Sequence, residues 1–469
     1  MTFFVKKLGR WLSRFVKDLR SAVVSLWRFL FPGVVKQPLL IARSLCRAST
    51  RKQLVQNLFF VLGVYAVSTV LMFCKSLWAG SVYTIVLRYI LPLALLCGFL
   101  AAVYNASSSE FRLLLLMSTC GLLVQTAIST NTAAELIRHH FFAAGAGLLA
   151  AIAYYFLAQL EPRCAVRLLN TLSIFIYVAL LFTTAHHGTK NWFSFSGSSV
   201  QGTELTRLLA VISIARACTM PEKSDRPRTM LVFETIALHL LSLVFVNELA
   251  TAVVIFLTGI VLLLLSVRQL RWTALGLGVT SLAGYIVYLT CKLCFQLGGG
   301  GIFKGGILIY SKIIKRLSPE QAADSYQIDQ ARQALLLSRW FGSGADIYFP
   351  ARDTDFVLLS VIKTFGYSFF FVVILLMFGL LVLALLHADQ SFPGQLALTC
   401  IVTLEIQFIC NAASALSIGP IMGITCPFLS LGGTSLVVTF FFCGVLLAAS
   451  SSLPPEKPIF FYKRGGKNE

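Results

Sequence analysis

The sequence predicts an all-α polytopic membrane protein with about twelve transmembrane helices and a long extracellular loop. Three observations predict it. Hydrophobic residues make up 57% of the chain and charged residues only 12%, about half the charge of a soluble domain. Mean hydropathy is +0.81. Apolar segments of about 20 residues recur along the chain, whereas the short alternating segments of a barrel do not. The pattern predicts one membrane domain and no soluble one.

The N-terminal segment, residues 1–53, comes first. The net charge is +20, and between Lys6 and Lys52 twelve Lys or Arg meet a single acid, Asp18. Trp11, Phe15, Trp27, Phe29 and Phe31 lie among them. A basic, aromatic, partly amphipathic stretch before a first span predicts a cytoplasmic membrane-surface segment in contact with membrane lipids. No nucleic-acid motif accompanies the charge, so nucleic acid is excluded as a partner. The segment is too long before the first span, and lacks the small-residue site, for a cleavable signal.

Hydropathy then marks spans near 54–74, 82–104, 111–130, 141–160, 165–185, 203–218, 230–246, 248–267, 272–294, 356–386, 395–417 and 427–451. The sixth is short and opens on Glu204 and Arg207. The connections 216–228 and 267–271 are basic, as is the tail 453–469 with Lys463, Arg464 and Lys467. The positive-inside rule therefore places both termini in the cytoplasm.

The longest connection runs over about 295–355, roughly sixty residues, a length that is usually functional. It opens on Gly298 to Gly301. A helical pattern follows, ending at Ser318-Pro319, and a second runs from Ser325 to about Trp340. Gly342 and Gly344 break the chain before Pro350. Short helices along the outer membrane face are expected here.

Charges inside or at the lip of a span are functional candidates by default. They are Glu204, Arg207, Glu234, Glu248, Asp355, Lys363 and Glu405. Glu204, Glu248 and Asp355 fall at the outer ends of their spans, with Lys190, Trp192 and Gln201 just before Glu204, so one outer cleft is expected to collect them. The structural alternative is a buried ion pair, such as Glu204 with a nearby Arg. Asp355 follows Arg352 and Thr354 and precedes an apolar run. A carboxylate placed there suits a general base, while Thr354 or Asp353 capping the next helix is the alternative.

Most of the twelve cysteines lie in apolar runs and read as small apolar residues. Cys291-x-x-Cys294 lacks a second pair for a metal. His139-His140 and His186-His187 fall at span edges without the i, i+4 spacing of ligands on one helix face. No cofactor motif is evident. The sequence leaves room for a divalent cation but declares no carboxylate cluster for one.

Six stretches, in order, resemble the SEDS family (FtsW, RodA and SpoVE). N-W-F-S-F-S-G-S-S-V-Q-G-T-E-L-T-R (191–207) is similar to R-W-x-x-x-G-x-x-x-Q-P-S-E-x-x-K, and N-E-L-A-T-A (247–252) to P-D-L-G-T-A. R-L-S-P and S-Y-Q (within 316–327) and S-R-W-F-G-S-G (338–344) resemble the family's loop motifs. P-A-R-D-T-D-F (350–356) resembles P-E-x-H-T-D-F, and G-I-T-C-P-F-L-S-L-G-G-T-S-L (423–436) resembles G-I-P-L-P-F-I-S-Y-G-G-S-S-L. The chain departs from the pattern at Gly202, Arg207, Ala351, Asp353, Lys363 and Leu431.

The resemblance implies a core of about ten helices over 111–452, preceded by two extra helices in 54–110. It also implies a bacterial cytoplasmic-membrane glycosyltransferase that polymerises lipid II into undecaprenyl-linked glycan on the outer face, during cell growth or division. Asp355 falls on the family's essential aspartate and would be the catalytic base. Lys190, Trp192, Gln201, Glu204, Arg207, Glu248, Arg352, Thr354 and Ser435 are the expected substrate-binding residues. Lys190, Arg207 and Arg352 are candidates to offset a leaving pyrophosphate, and Lys312, Lys315 and Arg316 to guide anionic headgroups. A class B penicillin-binding protein is the expected partner. Two alternatives remain: a non-catalytic scaffold that activates that transpeptidase, and a translocator of the lipid-linked precursor.

Overall fold

The computed structural model describes residues 108–450, except 129–132, 186–188, 196–197, 221–224, 267–269, 298–303, 318–324, 343–348, 350, 387, 389–390, 419 and 421, together with Gln56, Phe59, Phe60 and Gly63. The basic segment 1–53, the span expected at 82–104, most of that at 54–74, and the tail 453–469 lie outside the described residues.

The helices are α1 (Ser108–Ile128), α2 (Ala133–Gln159), α3 (Pro162–Leu181), α4 (Gly202–Cys218), α5 (Asp225–Phe245), α6 (Leu249–Ser266), α7 (Leu270–Leu297), α8 (Lys304–Leu317), α9 (Ser325–Leu336), α10 (Val357–Phe365), α11 (Tyr367–Leu386), α12 (Phe392–Ala415) and α13 (Gly433–Ser450). Among the described residues six are long and apolar enough to cross a membrane: α3, Arg226–Phe245 within α5, α6, α7, α11 and α12. This is a multi-pass membrane protein. The short helices expected in the long connection are α8 and α9, the second ending at Leu336 and not at Trp340.

Two expectations are corrected. The fold is not purely α: before α4, β1 (Trp192–Phe195) and β2 (Ser198–Gln201) pair antiparallel, with Trp192 opposite Gln201. The apolar run 356–386 is not one helix either. It breaks between α10 and α11 at Gly366, whose φ of 90° favours glycine. A Cβ there would lie 2.1 Å from the Trp340 carbonyl oxygen, so the site also lacks room for a side chain.

Local chemistry sets the helix starts. Glu161 caps α3 by accepting the Cys164 N–H at 3.1 Å, and Ser391 caps α12 by accepting that of Gly394 at 3.3 Å. Each is followed by proline in the first turn. Of the six membrane-crossing helices α12 is the most buried and so the central one, and α7 is the least buried and peripheral. Polar pairs cross between helices where lipid offers no alternative partner. Asn170 of α3 donates to Thr235 of α5 at 3.1 Å and accepts from Ser213 of α4 at 3.0 Å. Ser266 of α6 donates to Gln395 of α12 at 2.6 Å.

α2 and α13 cross closely on small residues. A Cβ on Gly444 would lie 2.2 Å from the Gly147 carbonyl oxygen and 2.9 Å from Ala150 Cβ. Gly444→Leu should therefore destabilise the protein by about 1–3 kcal/mol. Gly145→Ala, where a Cβ meets nothing within 4 Å, should be neutral or slightly stabilising. Thermal unfolding of the detergent-solubilised protein checks both.

Candidate functional site

A cavity of about 320 Å³ opens where the β-hairpin, the starts of α4 and α6, the turn before α10 and the segment before α13 meet. Its lining includes Trp192, Gln201, Glu204, Arg207, Glu248, Thr354, Asp355 and Ser435. Residues more than 200 positions apart in sequence thus share one wall. Lys190 and Arg352 are not among the lining residues. Lys190 Nζ donates to the Leu181 carbonyl at 2.8 Å, and the Arg352 carbonyl accepts from Ser360 Oγ at 2.5 Å.

The turn 351–356 that carries Asp355 is fixed through its backbone. Ala351, at φ 54°, accepts N–H bonds from Thr354 at 3.2 Å and Phe356 at 3.1 Å. Three carbonyls then bond outward. That of Asp353 accepts the Leu431 N–H at 2.7 Å, and that of Thr354 accepts Ser430 Oγ at 2.6 Å. That of Asp355 accepts Asn411 Nδ2 at 2.9 Å, and the same nitrogen donates to the Ile424 carbonyl at 2.7 Å. The expected cap on α10 is absent: its N-cap is Phe356 and no side chain bonds there. Thr354 Oγ1 instead reaches back to the Ala351 carbonyl at 3.4 Å, because the turn closes on itself before the helix begins. A Cβ on Gly423, whose φ is 63°, would stand 3.3 Å from Asp355 Oδ2, so glycine there leaves room beside the carboxylate.

Two more carboxylates line the cavity. Glu204, in the first turn of α4, accepts from Arg207 Nη1 at 2.9 Å and also from Nη2, and both side chains are buried. The ion pair anticipated as the structural alternative is therefore present. Gln407 of α12, its amide turned so that the oxygen faces the guanidinium, accepts from Nη1 at 2.6 Å and Nη2 at 3.1 Å. Glu248 caps α6 through Oε1, which accepts the Ala250 N–H at 3.1 Å, and its Oε2 accepts Asn191 Nδ2 at 3.0 Å. The Asn191 carbonyl takes the Gly202 N–H at 2.9 Å, joining the hairpin to the start of α4. On the opposite side Thr434 Oγ1 accepts the Gln201 N–H at 3.1 Å, and Thr425 and Ser435 share a hydroxyl bond of 2.7 Å.

Sequence reasoning did not single out Asn411 and Gln407, uncharged amides inside an apolar run. Asn191 and Thr425 lie within the family-like stretches 191–207 and 423–436 but carry no charge to mark them. Lys315 and Arg316 have side chains outside the described set, as do His186 and His187. His139 and His140 lie in the second turn of α2, which starts at Ala133; the buried His140 Nδ1 lies 3.0 Å from the Leu136 carbonyl.

The arrangement offers a carboxylate at a turn, two further carboxylates each tied to a partner, and a wall of hydroxyls and amides. That combination can take a proton from a bound hydroxyl and hydrogen-bond a polyhydroxylated ligand.

The family described as "Cell cycle protein", with FtsW, RodA and SpoVE as its namesakes, matches residues 107–453. A relative from Trichlorobacter lovleyi, described as a probable peptidoglycan glycosyltransferase FtsW, is 26% identical over 305 residues, 61% of this chain and 76% of its own. One of the same description from Wigglesworthia glossinidia brevipalpis is 23% identical over 365 residues, 70% of this chain and 89% of its own. A chain from the solved structure "Structural coordination of polymerization and crosslinking by a peptidoglycan synthase complex" superposes with a TM-score of 0.54. It is 21% identical and covers 74% of this chain and 97% of itself, a likeness of fold.

The Glu204–Arg207 pair gives a stability test. Arg207→Met strands a buried carboxylate and should cost about 3–5 kcal/mol, while Glu204→Gln with Arg207→Met should recover most of that loss. Thermal unfolding of the three proteins measures it; equal losses in the single and double variants would count against the pairing.

Proposed function

This chain belongs to the FtsW/RodA/SpoVE family of cell cycle proteins, and we propose that it is a peptidoglycan glycosyltransferase polymerising lipid II on the outer face of the cytoplasmic membrane. The observation that carries this reading is the position of Asp355: it lines a cavity shared with Glu204, Glu248 and Ser435, on a turn held by three hydrogen bonds from Asn411 and the Ser430–Leu431 segment.

In the proposed reaction the Asp355 carboxylate takes the proton of an acceptor sugar hydroxyl. That oxygen forms a bond to the anomeric carbon of the lipid-linked donor. The bond from this carbon to the pyrophosphate oxygen breaks, and the polyprenyl pyrophosphate leaves with the electron pair. A weak hydroxyl nucleophile needs such a base. Gln201, Ser435 and Trp192 suit sugar recognition by hydrogen bonds and ring contact, with Thr354 beside the base. Glu204, Arg207 and Glu248 hold the wall in register. Arg352 and Lys190 stay proposed as rim contacts for phosphate. A divalent cation accompanying the pyrophosphate stays a proposal without a protein-built site, since among the described residues no group of three His, Cys, Asp or Glu is placed to hold a metal ion.

The proposed partner is a class B penicillin-binding protein, which would crosslink the strand made here. A second reading, a scaffold that only activates that transpeptidase, draws support from the departures around the base: Ala351, Asp353 and Lys363.

Purified protein with lipid II separates the two. Asp355→Asn should lower polymerisation by a factor of about 10²–10⁴ with an unchanged melting temperature. Polymerisation that survives this substitution, or that never occurs in the wild type even with an added class B penicillin-binding protein, counts against the enzymatic reading.

A further inference from the structure

The turn between α5 and α6 is gripped from outside. Asn247 holds a left-handed φ of 58°, a conformation that asparagine tolerates better than most residues with a side chain. Its Oδ1 is buried without a partner. Two elements from elsewhere in the chain bond to this turn. The Lys190 N–H donates to the Val246 carbonyl at 3.1 Å. Lys312 Nζ, from α8, donates to the Asn247 carbonyl at 2.9 Å. The next residue is Glu248, whose carboxylate caps α6, accepts from Asn191 and lines the cavity. The ammonium group of Lys312 is thus one peptide unit from a wall of the candidate site.

α8 packs mainly on the peripheral helix α7. Gly306 abuts Cys294, with a Cβ there only 3.0 Å from its Sγ, and the Tyr310 ring lies 5.8 Å from Tyr288 and 5.0 Å from Phe295. Ile309, which is buried, and Lys312 are three residues apart and share the helix face turned inward. Lys312 therefore connects α8 to the turn.

We propose that Lys312 is a positioning residue: by bonding the Asn247 carbonyl it seats α8 on the α5–α6 turn and sets the orientation of Glu248 in the cavity wall. A cation suits the job. The α5 C-terminus presents carbonyls with partial negative charge, and an ammonium on a four-carbon stem reaches one of them from a separate helix. The inference differs from the expectation that Lys312 meets lipid headgroups, since its nitrogen is turned to the backbone. The effect on turnover rests on the glycosyltransferase reading; the effect on the turn does not.

The test uses the full-length protein in vesicles, with Lys312→Met and Lys312→Arg. Hydrogen exchange should speed up by about tenfold at the amides of 247–250 in Lys312→Met and return to near the wild-type rate in Lys312→Arg. In lipid II polymerisation kcat should fall about tenfold in Lys312→Met with KM changed by less than about threefold, and Lys312→Arg should rescue it. Both effects should be the same in zwitterionic vesicles and in vesicles containing anionic phosphatidylglycerol. Unchanged exchange in the turn overturns the proposal. So does faster exchange throughout the protein, or a defect confined to anionic vesicles, which would make Lys312 a headgroup contact. A wild type that does not polymerise defeats the functional reading alone, and the exchange data still decide the role of Lys312.

Discussion

The side-chain amide of Asn411 is the joint on which the site depends. Its nitrogen has two hydrogens, and they reach the carbonyls of Asp355 and Ile424 at 2.9 and 2.7 Å. Those carbonyls belong to two irregular segments that form no ladder with each other. Inside a membrane an unbonded carbonyl costs several kcal/mol, so irregular backbone persists there only where the protein itself supplies donors. α12 supplies them because it is the central helix, and Gln407, one turn earlier on it, faces Arg207. One buried helix thereby holds both the turn that carries the carboxylate and the wall opposite.

The charges follow the same economy of partners. Glu204 and Arg207 are buried together, and such a pair is weak support for stability, since replacing both groups by apolar ones is often neutral. Its effect is geometric. A bidentate contact within one helical turn, with Gln407 on the far side, leaves few orientations for either side chain. Glu248 is fixed in a different way, one oxygen on the α6 N-terminus and the other on Asn191 of the hairpin arm. In both cases the hydrogen bonds that satisfy a buried charge also tie two elements together. The lining therefore has a defined shape although it is built from six separate stretches of chain.

How much of this was legible depended on whether a residue broke the local pattern. Glu204, Glu248 and Asp355 stood out because a carboxylate in an apolar run is costly, and all three line one cavity. Asn411 and Gln407 did not, because an amide in a helix reads as ordinary interhelical packing until its partner is seen. The β-hairpin was missed because two four-residue strands give too short an alternation to register. The break at Gly366 was hidden by apolar residues on both sides, which continue a hydropathy run whatever the backbone does. Thr354 and Asp353 read as caps from type and position alone. The turn at Ala351, with its positive φ, closes the backbone first, and that conformation leaves no trace in composition.

Gly366 has a mechanical consequence. The twenty residues of α11 rise about 30 Å, enough for the hydrocarbon layer by themselves, and the nine of α10 add only about 13 Å. A continuous rod over both would act as a lever whose far end moved Asp355 whenever the lipid-facing half tilted. The joint at Gly366 is pinned, because Tyr367 and Ser368 donate their N–H groups to the Arg339 and Trp340 carbonyls at 3.2 Å each, so the break redirects the chain at a fixed angle. The short helix, buried over Val357–Ile362, therefore takes the direction of the Asp355 turn from the interior and not from the long apolar helix that follows.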